Sequence, residues 1–281
     1  MQPPEFWNGP RNGTATRLLA PLGWLYGLGA RLDRWTSRRT GAPVPVISVG
    51  NVTVGGTGKT PACIALASHL SGRGLSVHIL SRGYGGRLSG PLRVDPGRHD
   101  AAAVGDEPLL LARTAPTWIA RDRAAAAVLA ARAGADLLLL DDGHQHYRLR
   151  RDLSLLVVDG GRWFGTGRVL PAGPLREPLR GALARAQALV VVADPGGADL
   201  PPPAAVEGMP RLAARFALAD AAAAAVRDRP VLAFAGIGRP QKFFATLEGA
   251  GARIVARAAF ADHAAYSPDR VARLLEDAAA L

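Results

Sequence analysis

The chain is 281 residues long, 48% hydrophobic and 20% charged, which excludes a disordered or fibrous polymer and leaves ample length for a sizeable core. Its formal charge of +11 suits a phosphate-bearing or other polyanionic partner, although a composition rich in alanine and arginine accounts for the same number; no basic block with interleaved aromatic residues marks a nucleic-acid surface. Cys63 is the single cysteine, so no internal disulfide can form, a reducing compartment fits, and the residue reads as a small core side chain.

The N-terminus, Met1-Gln2-Pro3-Pro4-Glu5, lacks the basic stretch and small-residue cleavage site of a secretory signal, which places the catalytic body in the cytoplasm. Residues 18 to 30 are uncharged, with arginines at 11 and 17 before them and at 31, 34, 38 and 39 after. The run is short of the roughly 20 apolar residues that cross a bilayer. Two readings stay open: an amphipathic helix laying Trp24, Tyr26 and Trp35 on an anionic membrane surface, or a helix packed on the body.

From Val44 onward, short β-branched and leucine runs alternate with alanine-rich helical stretches. Strands are predicted at 44–49, 76–81, 117–120, 137–141, 153–158 and 188–193, with room for crossover helices at most steps. That alternation predicts an α/β fold, a P-loop NTPase-like and mostly parallel sheet flanked by helices. A turn or linker rich in Pro and Gly, 194–203, precedes a smaller α/β unit with strands at 231–235 and 253–259. The expected organisation is a membrane-associating helical segment over 1–40, a P-loop nucleotide-binding domain over 41–200 and a smaller α/β domain over 201–281.

Only two of the 34 basic residues are lysines, and one, Lys59, stands in Val54-Gly55-Gly56-Thr57-Gly58-Lys59-Thr60-Pro61. A compact ammonium on a flexible stem can follow a phosphate into a tight turn that a planar guanidinium would crowd. The order apolar strand, glycine-rich turn, Lys-Thr, helix is that of a phosphate-binding loop. The backbone of Gly55, Gly56, Thr57 and Gly58 would cradle phosphate oxygens, Lys59 would reach the β/γ-phosphates of ATP, and Thr60 would offer its hydroxyl to Mg²⁺. One departure is Thr53, which stands where the motif's first glycine is expected.

Downstream, Leu137-Leu138-Leu139-Leu140-Asp141-Asp142-Gly143 places two carboxylates at the end of a buried strand, where a metal on the phosphates needs oxygen ligands; Asp141 reads as the more direct ligand. Ser81-Arg82-Gly83-Tyr84-Gly85-Gly86-Arg87 suits anion capture or is a surface turn. Gly105-Asp106-Glu107-Pro108 offers either a general base or a helix cap. His144 and His146 have the spacing of a metal-ligand pair but no third clustered ligand, and read as active-site neighbours without zinc. The proline-rich stretch Arg168 to Glu177 is a substrate-binding loop or a rigid connector, and Lys242 reads as a solvated surface residue.

Five of these motifs together, from Ile47-Ser48-Val49-Gly50 through Lys59-Thr60-Pro61, Ser81 to Gly85, Gly105 to Pro108, Asp141 to Gln145 and Leu170 to Glu177, resemble the tetraacyldisaccharide 4'-kinase family, the lipid A kinases of Gram-negative bacteria. The resemblance runs from about residue 5 to residue 268. It implies transfer of the ATP γ-phosphate to the 4'-hydroxyl of a tetraacylated glucosamine disaccharide 1-phosphate by a peripheral protein on the cytoplasmic face of the inner membrane, with no nucleic acid and no obligate protein partner. It makes Lys59 and Thr60 the phosphate and Mg²⁺ contacts, Asp141 and Asp142 the acidic pair of the metal site, Asp106 the base toward the sugar hydroxyl and His263 its partner. Arg82, Tyr84 and Arg176 become substrate contacts.

Two positions depart from that pattern. Gly238-Arg239-Pro240 has Arg where the family usually has Asn, and the sequence stops at Leu281 where relatives usually continue, which implies an incomplete smaller unit. Two other functions compete: a membrane-associated P-loop ATPase acting on a protein partner, which usually carries an extra lysine where this chain has Val54, and a nucleotide-binding remnant without turnover.

Overall fold

The computed structural model describes residues 4–9, 13–193, 199–261, 264 and 266–280. His263 therefore lies outside the described residues, as does part of the predicted linker at 194–203. The six predicted strands of the large unit form as β1 (Val46–Gly50), β2 (Val77–Ser81), β4 (Thr117–Ile119), β5 (Leu137–Asp141), β6 (Leu153–Asp159) and β7 (Ala188–Val192). Two further strands complete an eight-stranded sheet: β3 (Leu92–Arg93) and β8 (Arg211–Ala214). The order is β3-β4-β2-β5-β1-β6-β7-β8, and every pairing is parallel except β3 with β4. β8 falls beyond residue 200 and hydrogen-bonds to β7.

The sheet is buried on both faces because its strands are apolar at successive positions, with alternate side chains going to opposite sides. Leu139 joins Val49, Ile79 and Cys63 beneath the helix α2 (Lys59–Ser71). Its neighbours Leu138 and Leu140 join Trp118, Ala126 and Ala130 beneath α5 (Arg123–Arg132). Cys63 is thus the buried core residue expected. The short helices α3 (Ala101–Val104), α4 (Asp106–Ala112) and α6 (Leu179–Leu183) finish this unit.

The smaller unit contains α7 (Asp220–Val226) and a two-stranded parallel sheet of β9 (Pro230–Ala235) and β10 (Arg253–Ala259). α8 (Pro240–Gly249) crosses between those strands and α9 (Pro268–Ala279) follows. Its core is small: Ala233, Ala235, Phe244, Leu247 and Ala252.

The N-terminal helix α1 (Thr14–Thr36) packs on the body through one face and leaves the other open. Its buried positions are Thr16, Gly23 and Gly27, small residues on one face. A Cβ at Gly23 would sit 2.9 Å from the Val169 carbonyl oxygen, and one at Gly27 would sit 3.5 Å from Pro178, so the helix lies directly on the proline-rich segment. The other face stays open, with Leu18 75%, Trp24 66% and Trp35 84% exposed. Among the described residues no helix is long and apolar enough to cross a membrane.

Candidate active site

Residues 51–58 leave the end of β1 as a loop and enter α2 at Lys59. Gly55 (φ 108°) and Gly58 (φ 91°) adopt left-handed backbone that side chains disfavour, which is why glycine stands there. The loop is tied from within: Asn51 Nδ2 donates to the Thr53 carbonyl at 2.7 Å and to Thr57 Oγ1 at 2.9 Å. It is braced from outside by the proline-rich segment, since Val54 N–H donates to Pro174 O and Arg176 N–H to Val52 O, both at 2.8 Å. Thr53 pairs with Leu175 in an antiparallel bridge, so this position needs a residue suited to extended backbone and not a glycine. Lys59 and Thr60 open α2, where unpaired N–H groups and the helix dipole favour an anion.

β5 lies next to β1 in register, with Val49 opposite Asp141, and this pairing delivers the two aspartates to the loop. Asp141 is 2% exposed. Burial, reinforced by Glu107 and Asp142, pushes its pKa up to about 7. Its Oδ1 is buried without a hydrogen-bond partner. Asp142, at φ 48°, points differently. Arg176 Nη1 donates to both its oxygens at 3.0 and 2.9 Å, and Lys59 Nζ lies 3.9 Å away. Burial would raise the Asp142 carboxyl, but Lys59 and Arg176 outweigh it and hold the group below the usual carboxylate range.

Beside this edge opens a cleft of about 710 Å³, lined by Tyr26 and Asp33 of α1, by Ser37 just after it, and by Arg82, Arg123 and Arg176. Arg123 is 6% exposed, and its Nε is buried without a hydrogen-bond partner. Burial lowers its pKa to about 10. A cleft with that many guanidinium groups is suited to an anionic ligand.

A model of the family described as tetraacyldisaccharide-1-P 4'-kinase matches residues 15–281. The chain belongs to this family. The tetraacyldisaccharide 4'-kinase of Rhodospirillum centenum is 54% identical over 290 residues, covering 100% of this chain and 84% of that protein. The one from Methylobacterium sp. is 51% identical over 279 residues, covering 99% and 84%. Among solved structures, LpxK from Aquifex aeolicus in complex with ATP superposes with a TM-score of 0.72 at 31% identity, over 90% of this chain and 84% of that one.

In this family member the loop 82–86 and the turn before α4 are locked together. A Cβ at Gly105 would fall 2.4 Å from the Tyr84 carbonyl oxygen, and one at Gly86 2.6 Å from Val104. Arg82, exposed Tyr84 and Asp106 therefore ride on one compact corner. Asp106 is exposed in the first turn of α4, with its Oδ1 accepting from the Glu107 N–H at 3.0 Å; the cap position itself is Gly105. Glu107 turns the other way, and Thr60 Oγ1 donates to its Oε1 at 3.4 Å. The sequence pattern singled out Asp106 and left Glu107 unassigned.

Glu177 is a second acid that sequence reasoning missed. It is buried, accepts from Arg185 Nη2 at 2.7 Å through both oxygens, and accepts from Gln145 Nε2 at 3.1 Å and the Tyr147 hydroxyl at 3.3 Å. Gln145 also donates to the Asn51 carbonyl at 2.8 Å, so this network joins the acidic turn to the phosphate loop. His144 and His146 are both pushed down to about pKa 3, mainly by burial, and remain neutral. Among the described residues no group of three or more His, Cys, Asp or Glu gathers to hold a metal on its own.

Lys242 is a correction. It is not a solvated surface residue: it is 7% exposed, and its Nζ lies 2.8 Å from Asp159 Oδ2. Asp159 ends β6, is buried, and also pairs with Arg239. The expectation failed because burial of a lysine requires a partner on another element, which local sequence does not display.

Proposed function

We propose that the chain transfers the γ-phosphoryl group of ATP to the 4'-hydroxyl of a tetraacylated glucosamine disaccharide 1-phosphate, as a peripheral protein on the cytoplasmic face of the inner membrane. The observation that carries this reading is the meeting of a glycine-rich loop and Lys59-Thr60 with the Asp141-Asp142 strand end, in a chain 54% identical to a tetraacyldisaccharide 4'-kinase. The buried, unpartnered Asp141 Oδ1 and the Thr60 hydroxyl supply hard oxygen donors that fit Mg²⁺, a cation that takes only one or two carboxylates and fills its remaining positions with phosphate and water. Bound Mg²⁺ would neutralise charge on the phosphate oxygens.

The chain's own residues then divide the work. Lys59 and the N–H groups of Gly56, Thr57 and Gly58 hold and orient the phosphates, which is most of what phosphoryl transfer asks of a protein. Asp106, exposed on the turn packed against the loop that carries Arg82 and Tyr84, takes the proton of the sugar hydroxyl, and His263 assists it. Arg82, Arg123 and Arg176 face the anionic acceptor, with Tyr84 beside them. The open Leu18, Trp24 and Trp35 face of α1 lies against acyl chains and headgroups, supported by its exposure and by the flanking arginines.

Transfer of label from γ-labelled ATP to the tetraacyl disaccharide 1-phosphate tests the reading. Wild type should label the acceptor, and Asp106→Ala should lower kcat by about 10²-fold or more with little change in nucleotide affinity. ATP consumption that ignores the lipid and responds to a protein partner would overturn it.

A further inference from the structure

Asp159 ends the strand on the opposite side of β1 from Asp141, and it belongs to no role assigned above. It carries an unusual arrangement: two cations from the smaller unit, Arg239 and Lys242, converge on the single oxygen Oδ2, while Oδ1 accepts the Gly161 N–H at 3.0 Å. One cation suffices to balance one buried carboxylate. Lys242 is the better placed of the two to remain, since its side chain is 7% exposed, against 19% for that of Arg239.

Arg239 is also the cation nearer to chemistry. It occupies the residue before Pro240 at the start of α8, and with Gly238 it lines a small cavity that Gly55, Gly56 and Thr57 of the phosphate loop also line. The loop itself brings a single lysine, and the cleft arginines Arg82, Arg123 and Arg176 are assigned above to the acceptor. A triphosphate in that loop therefore meets few free positive charges from the large unit.

We propose that Arg239 contacts the terminal phosphate of the bound nucleotide, with Asp159 as the seat it occupies before the nucleotide arrives and Lys242 as the residue that keeps Asp159 neutralised afterwards. The inference rests on the nucleotide reading above. It assigns to the smaller unit a charge that distinguishes a triphosphate from a diphosphate, in the way an arginine supplied in cis does in other phosphoryl-transfer proteins.

The test is binding of Mg²⁺ with ADP and with a non-hydrolysable ATP analogue to the full chain, by calorimetry, for wild type, Arg239→Gln and Lys242→Met. Arg239→Gln should weaken the triphosphate analogue on the order of tenfold and ADP hardly at all, as expected for one charge-assisted hydrogen bond. Lys242→Met, which leaves Arg239 holding Asp159, should likewise reduce the preference for triphosphate without weakening ADP, and an unchanged preference in that variant would overturn the role given to Lys242. Equal weakening of both nucleotides by Arg239→Gln, or none, would overturn the role of Arg239 and leave the nucleotide site standing. Wild type that binds neither nucleotide would overturn the site itself and the inference with it.

Discussion

Two lysine–aspartate contacts flank the end of β1, and they are built to opposite specifications. On the β5 side, Lys59 stands 3.9 Å from a half-buried Asp142 that is shared with Arg176. On the β6 side, Lys242 is 2.8 Å from a buried Asp159. The first pair is loose and reachable, so its charges can be redistributed onto a ligand at small cost. The second is tight and dry, and its charges are committed to each other, because breaking a buried pair leaves an uncompensated ion. A chain that uses lysine twice has placed one where charge must be available and one where it must stay put.

Replacing each lysine should expose that difference. Lys59→Ala should cost the most, a loss of transfer on the order of 10³-fold with a melting temperature close to that of wild type, because a preorganised charge on the phosphates is removed from a partly open site. Lys242→Met should do the reverse, destabilising the fold by about 1 to 2 kcal/mol in denaturant titrations, the loss of one charge-assisted contact with Arg239 still balancing Asp159, while the large unit keeps its phosphate loop. If Lys242→Met matched Lys59→Ala in activity and left stability untouched, the contrast between the two ends would be wrong.

A smaller effect separates both ends from the rest of the sheet. His78 is buried in β2, where its Nδ1 accepts from Trp118 Nε1 at 3.2 Å, and burial followed by Arg93 lowers its pKa. Because the folded protein resists protonating it, the unfolded chain binds more protons below the ordinary histidine pKa of about 6.5, so stability is full above that pH and is lost as pH falls through it. Melting temperature followed from pH 7.5 downward should show that slope, to which His144 and His146 add, and His78→Gln, which can still accept from Trp118, should reduce it by the part His78 contributes.

The large sheet was legible because its strands are runs of leucine and β-branched residues bounded by turn formers, and the same runs located Asp141 and Asp142 at a strand end and Lys59 beyond the turn that follows another. β8 was not, since Arg211-Leu212-Ala213-Ala214 is mostly exposed and carries no alternation; it is a strand by virtue of pairing with β7. Which of two adjacent acids faces the phosphate loop was equally hidden. Glu107 turns toward Thr60 and Asp106 toward solvent because Gly105 sits at φ 90°, a torsion that residue types alone do not report. Glu177 and Lys242 escaped because their partners arrive from other elements. Arg123 carried a readable signal, its place immediately after a parallel strand at the edge where ligands bind.

The contact of α1 with the body through Gly23 and Gly27 fixes a height. With no side chain at either position, the helix backbone rests on Val169 and Pro178 with nothing between, and the same helix contributes Tyr26 and Asp33 to the rim of the arginine-lined cleft. The outward Trp24 and Trp35 and the rim residues are therefore at set distances from one another, like graduations on one rod. Two missing side chains act as a gauge that determines how far above any surface touched by the tryptophans the mouth of the cleft must stand.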